Sequence, residues 1–146
     1  QLIDPRRAFA TPQRFAGVMI SHEWPDDFFD HCGLDQQTAV VALTHDPKID
    51  DPALLAAVAS ECFYIGALGS TRTHAKRLQR LAEDSLCKGS QNNAADTDPN
   101  AQQSVAQQLA RIHGPIGLRL GGRSPEAIAV SILAQLTEQR YAEQKK

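Results

Sequence analysis

Residues 63–77 constrain the fold of this chain more than any other stretch. Residues 63–68 are almost wholly apolar, Gly69 and Ser70 follow them, and a basic, helix-like segment begins at Thr71. Apolar runs of this length are typical of strands that are covered on both faces, as in parallel sheets. A helix N-terminus exposes free N–H groups and the positive end of its dipole, which favours an anion. The stretch therefore predicts a buried strand, a turn and a helix start suited to a phosphate-bearing small molecule.

Other segments alternate in the same way between strand-like and helix-like patterns. Residues 38–44 form a second apolar run rich in β-branched side chains, and shorter strand candidates are Leu2-Ile3 and residues 18–20. A capping side chain before a proline predicts the start of three helices, at Thr11-Pro12, Asp51-Pro52 and Ser124-Pro125. This alternation predicts an α/β fold with a mostly parallel sheet and helices on both of its faces.

The length of 146 residues fits one domain over residues 1–146. Residues 90–100 are polar and lack apolar periodicity, so we expect a flexible surface loop over residues 84–103. The net charge of −2 gives no reason to expect nucleic acid or a membrane surface as a partner. The three cysteines form no CxxC pair, so we expect neither a disulfide framework nor a zinc site, and we expect a cytoplasmic protein.

Ligands bind at the carboxyl ends of strands in open α/β sheets, and polar residues follow the predicted strands here. Asp4 ends the first strand and is expected to bond a ribose hydroxyl, or Arg6 just beyond it is placed to accept a 2′-phosphate instead; a plain Asp-Pro turn is the alternative. Thr44, His45 and Asp46 follow the second strand. There His45 is expected to contact the ligand or transfer a proton, and the alternative is a turn with a solvated histidine.

The third strand end contains Gly66 and Gly69, whose spacing matches neither the dinucleotide fingerprint nor a P-loop. The first helical turn after it adds polar candidates, which are Ser70, Arg72, Thr73 and His74. Further along this helix, Arg77 and Arg80 are expected to belong to a solvated basic face.

The fourth candidate is a glycine-rich link that contains His113, Gly114 and Gly117. It either closes over a ligand or forms a tight turn between helices. We expect the strand ends to form the walls of one shared cleft.

Motifs in five parts of the chain occur in an order found in one protein family. They lie within residues 4–15, 38–52, 64–78, 111–118 and 125–134. Together they resemble the C-terminal Rossmann-type domain of the XdhC/CoxI family, over nearly the whole chain except residues 84–103.

The resemblance implies a Rossmann-like fold and a maturation factor for molybdenum hydroxylases, such as xanthine dehydrogenase or carbon monoxide dehydrogenase. It implies that the chain binds molybdenum cofactor (molybdopterin), supports its sulfuration and delivers it, without turnover of its own, so no catalytic residue is assigned. The implied partners are the apo-enzyme, a cysteine desulfurase and the pterin cofactor. With the strand-end reasoning, the expected cofactor-binding residues are Asp4, Arg6, Thr44, His45, Asp46, Gly66, Gly69, Ser70, Arg72, Thr73, His74, His113, Gly114 and Gly117.

The chain also departs from the family pattern. Family members carry a first strand and a glycine-rich turn ahead of the segment that begins here at Leu2. We therefore expect either a fragment or a sheet completed by another chain or by a second copy, as in a homodimer. The polar residues 84–103 stand where members have a short turn, and Arg119 replaces an acidic residue.

Two further hypotheses stay open at this point. An NAD(P)-binding, oxidoreductase-like domain is motivated by Asp4 and Arg6. A docking module for the target dehydrogenase would instead use the aromatic residues Trp24, Phe28 and Phe29.

Overall fold

Parallel strands alternate with helices along the chain in the computed structural model, which describes residues 1–89 and 99–142. In chain order the elements are β1 (Leu2–Ile3), β2 (Ile20–Ser21), α1 (Pro25–Cys32), β3 (Ala39–Ala42), α2 (Pro47–Val58), β4 (Tyr64–Ala67), α3 (Thr71–Gly89), α4 (Pro99–Leu109), β5 (Ile112–His113) and α5 (Pro125–Ala142). None of the described helices has the length and apolar character that crossing a lipid bilayer requires.

The larger sheet has the order β3-β4-β5, and its strands are parallel. Val40 of β3 pairs with Ile65 of β4, which pairs in turn with Ile112 of β5. β1 and β2 form a second parallel sheet, in which Leu2 pairs with Ile20. Parallel strands bring their carboxyl ends to the same edge of a sheet, so the turns after β3, β4 and β5 are neighbours. The predicted α/β fold with a parallel sheet is confirmed.

Helices cover both faces of the larger sheet. Successive strand side chains point to opposite faces, so Val40 and Ala42 pack on one side and Val41 on the other. Leu81 of α3 belongs to the first apolar cluster, and Ile132 of α5 belongs to the second. These two clusters anchor the strands whose carboxyl ends carry the candidate site.

Two of the three predicted helix starts are wrong. Thr11-Pro12 opens only a single turn, in which two later N–H groups donate to the Thr11 carbonyl at 3.0 Å. α2 begins at Pro47, ahead of the predicted start, because the carboxylate of Asp46 accepts a hydrogen bond from the Lys48 N–H at 3.0 Å and caps the helix there. α5 does begin at Pro125, as predicted.

The predicted loop over residues 84–103 is wrong at both ends, because α3 and α4 extend into it from either side. The Ser85 hydroxyl donates to the Leu81 carbonyl at 2.7 Å, so this polar side chain is accommodated by the preceding helical turn. Pro99 is the first residue of α4, a position where the missing N–H costs no helical bond. Residues 90–98 of the predicted loop lie outside the described residues.

Candidate functional site

The predicted site residues do not line one shared cleft. Among the described residues, those that line a cavity are divided between two separate cavities. The first has a volume of about 690 Å³ and lies between β1 and β3, with Asp4, Arg6 and Thr44 in its wall. The second has a volume of about 680 Å³, and the predicted residues in its wall are Gly69, His113, Gly114 and Gly117. The other predicted residues line neither cavity; they are His45, Asp46, Gly66, Ser70, Arg72, Thr73 and His74.

The side chains of Asp4 and Arg6 form an ion pair with each other. The two carboxylate oxygens of Asp4 accept hydrogen bonds from Nε and Nη2 of Arg6, each at 2.9 Å, and the Arg6 guanidinium lies 4.6 Å from the ring centroid of Phe9. The hydrogen bond from Arg6 lowers the pKa of Asp4 below its ordinary value of 3.8. Since both groups are already paired, the geometry gives no support to recognition of a ribose hydroxyl or a 2′-phosphate here.

The turn after β3 is held by a buried carboxylate. The hydroxyl of Thr44 donates to Oδ1 of Asp50 at 2.7 Å, and the Thr44 N–H reaches the same oxygen at 3.3 Å. The Asp46 N–H in turn donates to the Thr44 hydroxyl at 3.1 Å. His45 sits between them with a positive φ of 61° and an exposed side chain. The turn is therefore rigid at Thr44 and presents His45 to solvent, where a ligand can meet it.

The turn after β4 leads into the first turn of α3. Ser70 Oγ accepts a hydrogen bond from the Thr73 N–H at 3.1 Å and lies 2.9 Å from the Thr73 hydroxyl, which is the pattern of a helix N-cap. Gly69 has a φ of 141°, and a Cβ there would lie 3.1 Å from Thr73 Cγ2. The N–H groups of Thr71 and Arg72 have no acceptor within the helix, because they begin it. These N–H groups and the exposed Arg72 side chain can hold an anion.

His74 faces away from solvent, toward the link that follows β5. Its Nδ1 is buried without a hydrogen-bond partner among the described residues, and a Cβ at Gly114 would overlap the imidazole. Burial, followed by the nearby charge of Arg77, lowers the pKa of His74 below 6.5. The lowered pKa favours the neutral imidazole, and His74 packs as part of the contact between α3 and this link.

The wall of the second cavity rests on a tyrosine in β4. The ring of His113 stacks on Tyr64 with centroids 4.9 Å apart and an angle of 8° between the planes. Tyr64 donates to Oε1 of Gln135 at 2.6 Å, and the Gly117 N–H donates to the same oxygen at 2.7 Å. Burial raises the pKa of Tyr64 to about 12, and burial also lowers the pKa of His113 despite the opposing charge of Glu138.

Gln135 is a residue that the sequence reasoning missed. It lines the second cavity and fixes the glycine-rich link to α5 through the Gly117 N–H. Its position in the sequence could have indicated this role, because Gln135 lies one helical turn after Ile132 on the buried apolar stripe of α5. A polar side chain on such a stripe needs a hydrogen-bond partner.

Gly66 has a packing explanation. A Cβ on this residue would overlap Ile116, so the absence of a side chain lets the glycine-rich link approach β4. Its predicted contact with a ligand stays a prediction.

The prediction that Arg77 and Arg80 form a solvated face is wrong for Arg77, whereas Arg80 is partly exposed but is paired with a carboxylate. Arg77 is only 3% exposed, and its Nη2 donates to the Leu68 carbonyl at 2.9 Å. Arg80 donates from Nε and Nη2 to the two carboxylate oxygens of Asp51, at 2.9 and 3.1 Å. The adjacent residues Asp50 and Asp51 on α2 could have indicated these contacts, since buried carboxylates need cationic partners.

Comparisons with known proteins agree with this architecture. Residues 1–95 and 86–136 match the family described as the XdhC Rossmann domain. Over 112 residues the chain is 31% identical to the "Molybdenum cofactor insertion chaperone PaoD" of Escherichia coli (strain K12). That match covers 77% of this chain and 30% of the relative.

A solved structure shares the fold. It is the crystal structure of a protein described as a xanthine dehydrogenase from Bacillus halodurans, which superposes with a TM-score of 0.68 at 25% sequence identity. The superposition covers 98% of this chain and 37% of the other, so the chain spans about a third of the length of each of these proteins. The family match covers most of the chain, and the chain therefore belongs to the XdhC Rossmann domain family.

Proposed function

We propose that this chain binds the molybdenum cofactor and assists its insertion into a molybdenum hydroxylase of the xanthine dehydrogenase type, as an assembly factor without turnover of its own. The observation that carries the proposal is the 31% identity to the E. coli molybdenum cofactor insertion chaperone PaoD. Because the match spans only 30% of that relative, the proposal is limited to the steps that one cofactor-binding domain can perform.

The start of α3 fits the phosphate group of such a cofactor. Its first N–H groups lack helical acceptors, the helix dipole places its positive end there, and Arg72 is exposed beside them. We propose that Ser70, Arg72 and Thr73 hold the phosphate. The Ser70 hydroxyl already caps the helix, so its contribution is to fix these N–H groups in place.

The second cavity fits the remainder of a pterin-sized ligand. Its volume of about 680 Å³ lies within the range of small-molecule sites. Gly69, Gly114 and Gly117 expose backbone rather than side chains on its wall, and His113 adds an imidazole that is held by its stack on Tyr64. When bound, the cofactor supplies the molybdenum centre, and the residues of this chain bind and orient it.

The finer parts of the proposal concern partners. We propose that the cofactor is sulfurated while it is held, with a cysteine desulfurase as the sulfur-supplying partner, and that it then passes to the apo-enzyme. Two copies of the chain acting as a homodimer belong to the same proposal. Trp24, Leu133 and Tyr141 expose 45%, 62% and 58% of their surface, and they offer apolar area for a protein partner.

An equilibrium titration of the 146-residue chain with molybdopterin under anaerobic conditions tests the proposal. Arg72→Ala is expected to weaken binding by about 1–3 kcal/mol, because a hydrogen bond to a charged group is lost. Lys76→Ala is the matched control, since Lys76 is an exposed cation of the same helix beyond its first turn. The proposal is wrong if the wild-type chain does not bind molybdopterin, or if both variants lose the same affinity.

A further inference from the structure

Two neighbouring arginine–aspartate pairs join α3 to α2, and they differ in what else they touch. Arg80 forms two short hydrogen bonds with Asp51, and its side chain remains 41% exposed. Arg77 lies 3.9 Å from Asp50, with 4% and 3% of the two side chains exposed. The Arg80 pair is therefore a helix-to-helix contact near the surface, whereas the Arg77 pair is buried.

Arg77 also contacts the carboxyl end of β4 directly, and through Asp50 it is linked to the carboxyl end of β3. Its Nη2 donates to the carbonyl of Leu68 at 2.9 Å, directly before the turn that starts α3. Its ionic partner Asp50 accepts hydrogen bonds from both the hydroxyl and the N–H of Thr44, which begins the turn after β3. One guanidinium thus connects the turns that follow two neighbouring strands.

Stability alone does not account for a buried arginine at this position. Nε and Nη1 of Arg77 are buried without hydrogen-bond partners among the described residues, and the distance to Asp50 is long for a hydrogen bond. Desolvating a charge is costly, and replacing an imperfect buried ion pair by apolar side chains of similar volume is often neutral or stabilising. The position of Arg77 is better explained by what it holds in place.

We infer that Arg77 is a positioning residue for the ligand site, which rests on the function proposed above. Through the Leu68 carbonyl it fixes the Gly69-Ser70 turn, and through Asp50 it fixes the turn that begins at Thr44. The N–H groups at the start of α3, where the phosphate is proposed to bind, are thereby held at a set distance from the turn after β3 before a ligand arrives. Arg77 does not touch the ligand, because its guanidinium is buried beneath these turns.

Comparing Arg77→Met with Arg80→Met tests this inference. Both substitutions remove one arginine–aspartate pair between the same two helices, but only the first removes the contact with the strand ends. Titration of each folded 146-residue variant with molybdopterin is expected to show a loss of about 10- to 100-fold for Arg77→Met, by analogy with residues that orient the ligands of metal sites without touching the metal. Arg80→Met is expected to stay within about twofold of the wild type in affinity, since the hydrogen bonds of Arg80 go to Asp51 and not to either strand end.

Two further variants separate positioning from folding. Arg77→Lys keeps the charge but can satisfy fewer acceptors at once, and is expected to bind with intermediate affinity. Asp50→Asn keeps an oxygen that accepts from Thr44 but removes the ionic partner of Arg77, and is also expected to weaken binding. Thermal unfolding midpoints identify the temperature at which every variant is fully folded, and affinities are compared there.

Amide hydrogen exchange gives a second readout that needs no ligand. Arg77→Met is expected to speed the exchange of amides in the turns at residues 44–46 and 68–70, while Arg80→Met leaves them unchanged. If the wild type does not bind molybdopterin, the proposed function fails, and the exchange rates alone decide whether Arg77 holds the two turns. Unchanged exchange in Arg77→Met overturns the inference, as does wild-type affinity in that variant where molybdopterin binds.

Discussion

The imidazole of His74 lies directly against the α-carbon of Gly114, so that α3 and the link after β5 touch with no room for another atom between them. A Cβ at Gly114 would overlap three ring atoms of His74. This contact joins the helix that begins at the proposed phosphate position to the wall of the second cavity. The two parts of the candidate site are therefore mechanically connected.

Gly114→Ala is expected to destabilise the protein by about 1–3 kcal/mol, because the added methyl group forces either the ring or the backbone to move. Urea unfolding measures the change. His74→Ala/Gly114→Ala is the matched double variant, and it should recover part of the loss by removing the ring that the methyl group meets. Equal stability of wild type and Gly114→Ala would contradict the described contact.

Stability should fall as the pH falls through the range in which His74 and His113 become charged. Burial lowers the pKa of both residues below 6.5, so the unfolded chain binds more protons than the folded chain just below that pH. The free energy of unfolding therefore rises with pH until the pH passes the pKa that these histidines have in the unfolded chain. As the pH falls below that pKa, the stability contributed by the two neutral histidines is progressively lost. Urea unfolding at a series of pH values between about 5 and 8 checks this slope.

His74→Gln and His113→Gln serve as controls for the pH dependence. Each should flatten part of the slope, because each removes one group that must stay neutral in the folded state. A slope that is unchanged in both variants, or stability that increases as the pH falls, would rule out these two histidines as its source.

Gln135→Leu is expected to lower stability by about 1–3 kcal/mol, because the Tyr64 hydroxyl and the Gly117 N–H both lose their acceptor. Gln135→Glu keeps an oxygen in that position and should lose less. Tyr64→Phe removes only one of the two donors and should also lose less than Gln135→Leu. Urea unfolding gives the free energy of unfolding of each of the three variants. An equal loss in all three would contradict the finding that Gln135 Oε1 accepts from both donors.

The sequence predicted the part of the fold that depends on local patterns. β4 is buried on both faces and β3 is buried on the face of Val40 and Ala42, so both appear as apolar runs, and the turn at Gly69-Ser70 follows directly after β4. The predicted start of α2 failed because Pro52 resembles a first helical residue, whereas Asp46, more than one helical turn earlier, caps the helix. Competing caps on one helix cannot be ranked without the surrounding packing.

The arrangement of the candidate site was predictable only in part. Parallel strands with polar residues after them indicate where a ligand binds, but not which side chains pair with each other. Helical spacing gave no sign that Arg77 faces Asp50, because that contact depends on how α3 crosses α2. The pairing of Asp4 with Arg6 was equally hidden, although the two residues are close in sequence.

A structure of the chain with molybdopterin bound decides where the cofactor lies. We expect ligand density in the second cavity, against the link from His113 to Gly117, with a phosphate at the N–H groups of Thr71 and Arg72. Ligand density in the first cavity beside Asp4 and Arg6, with the start of α3 left empty, would contradict this expectation.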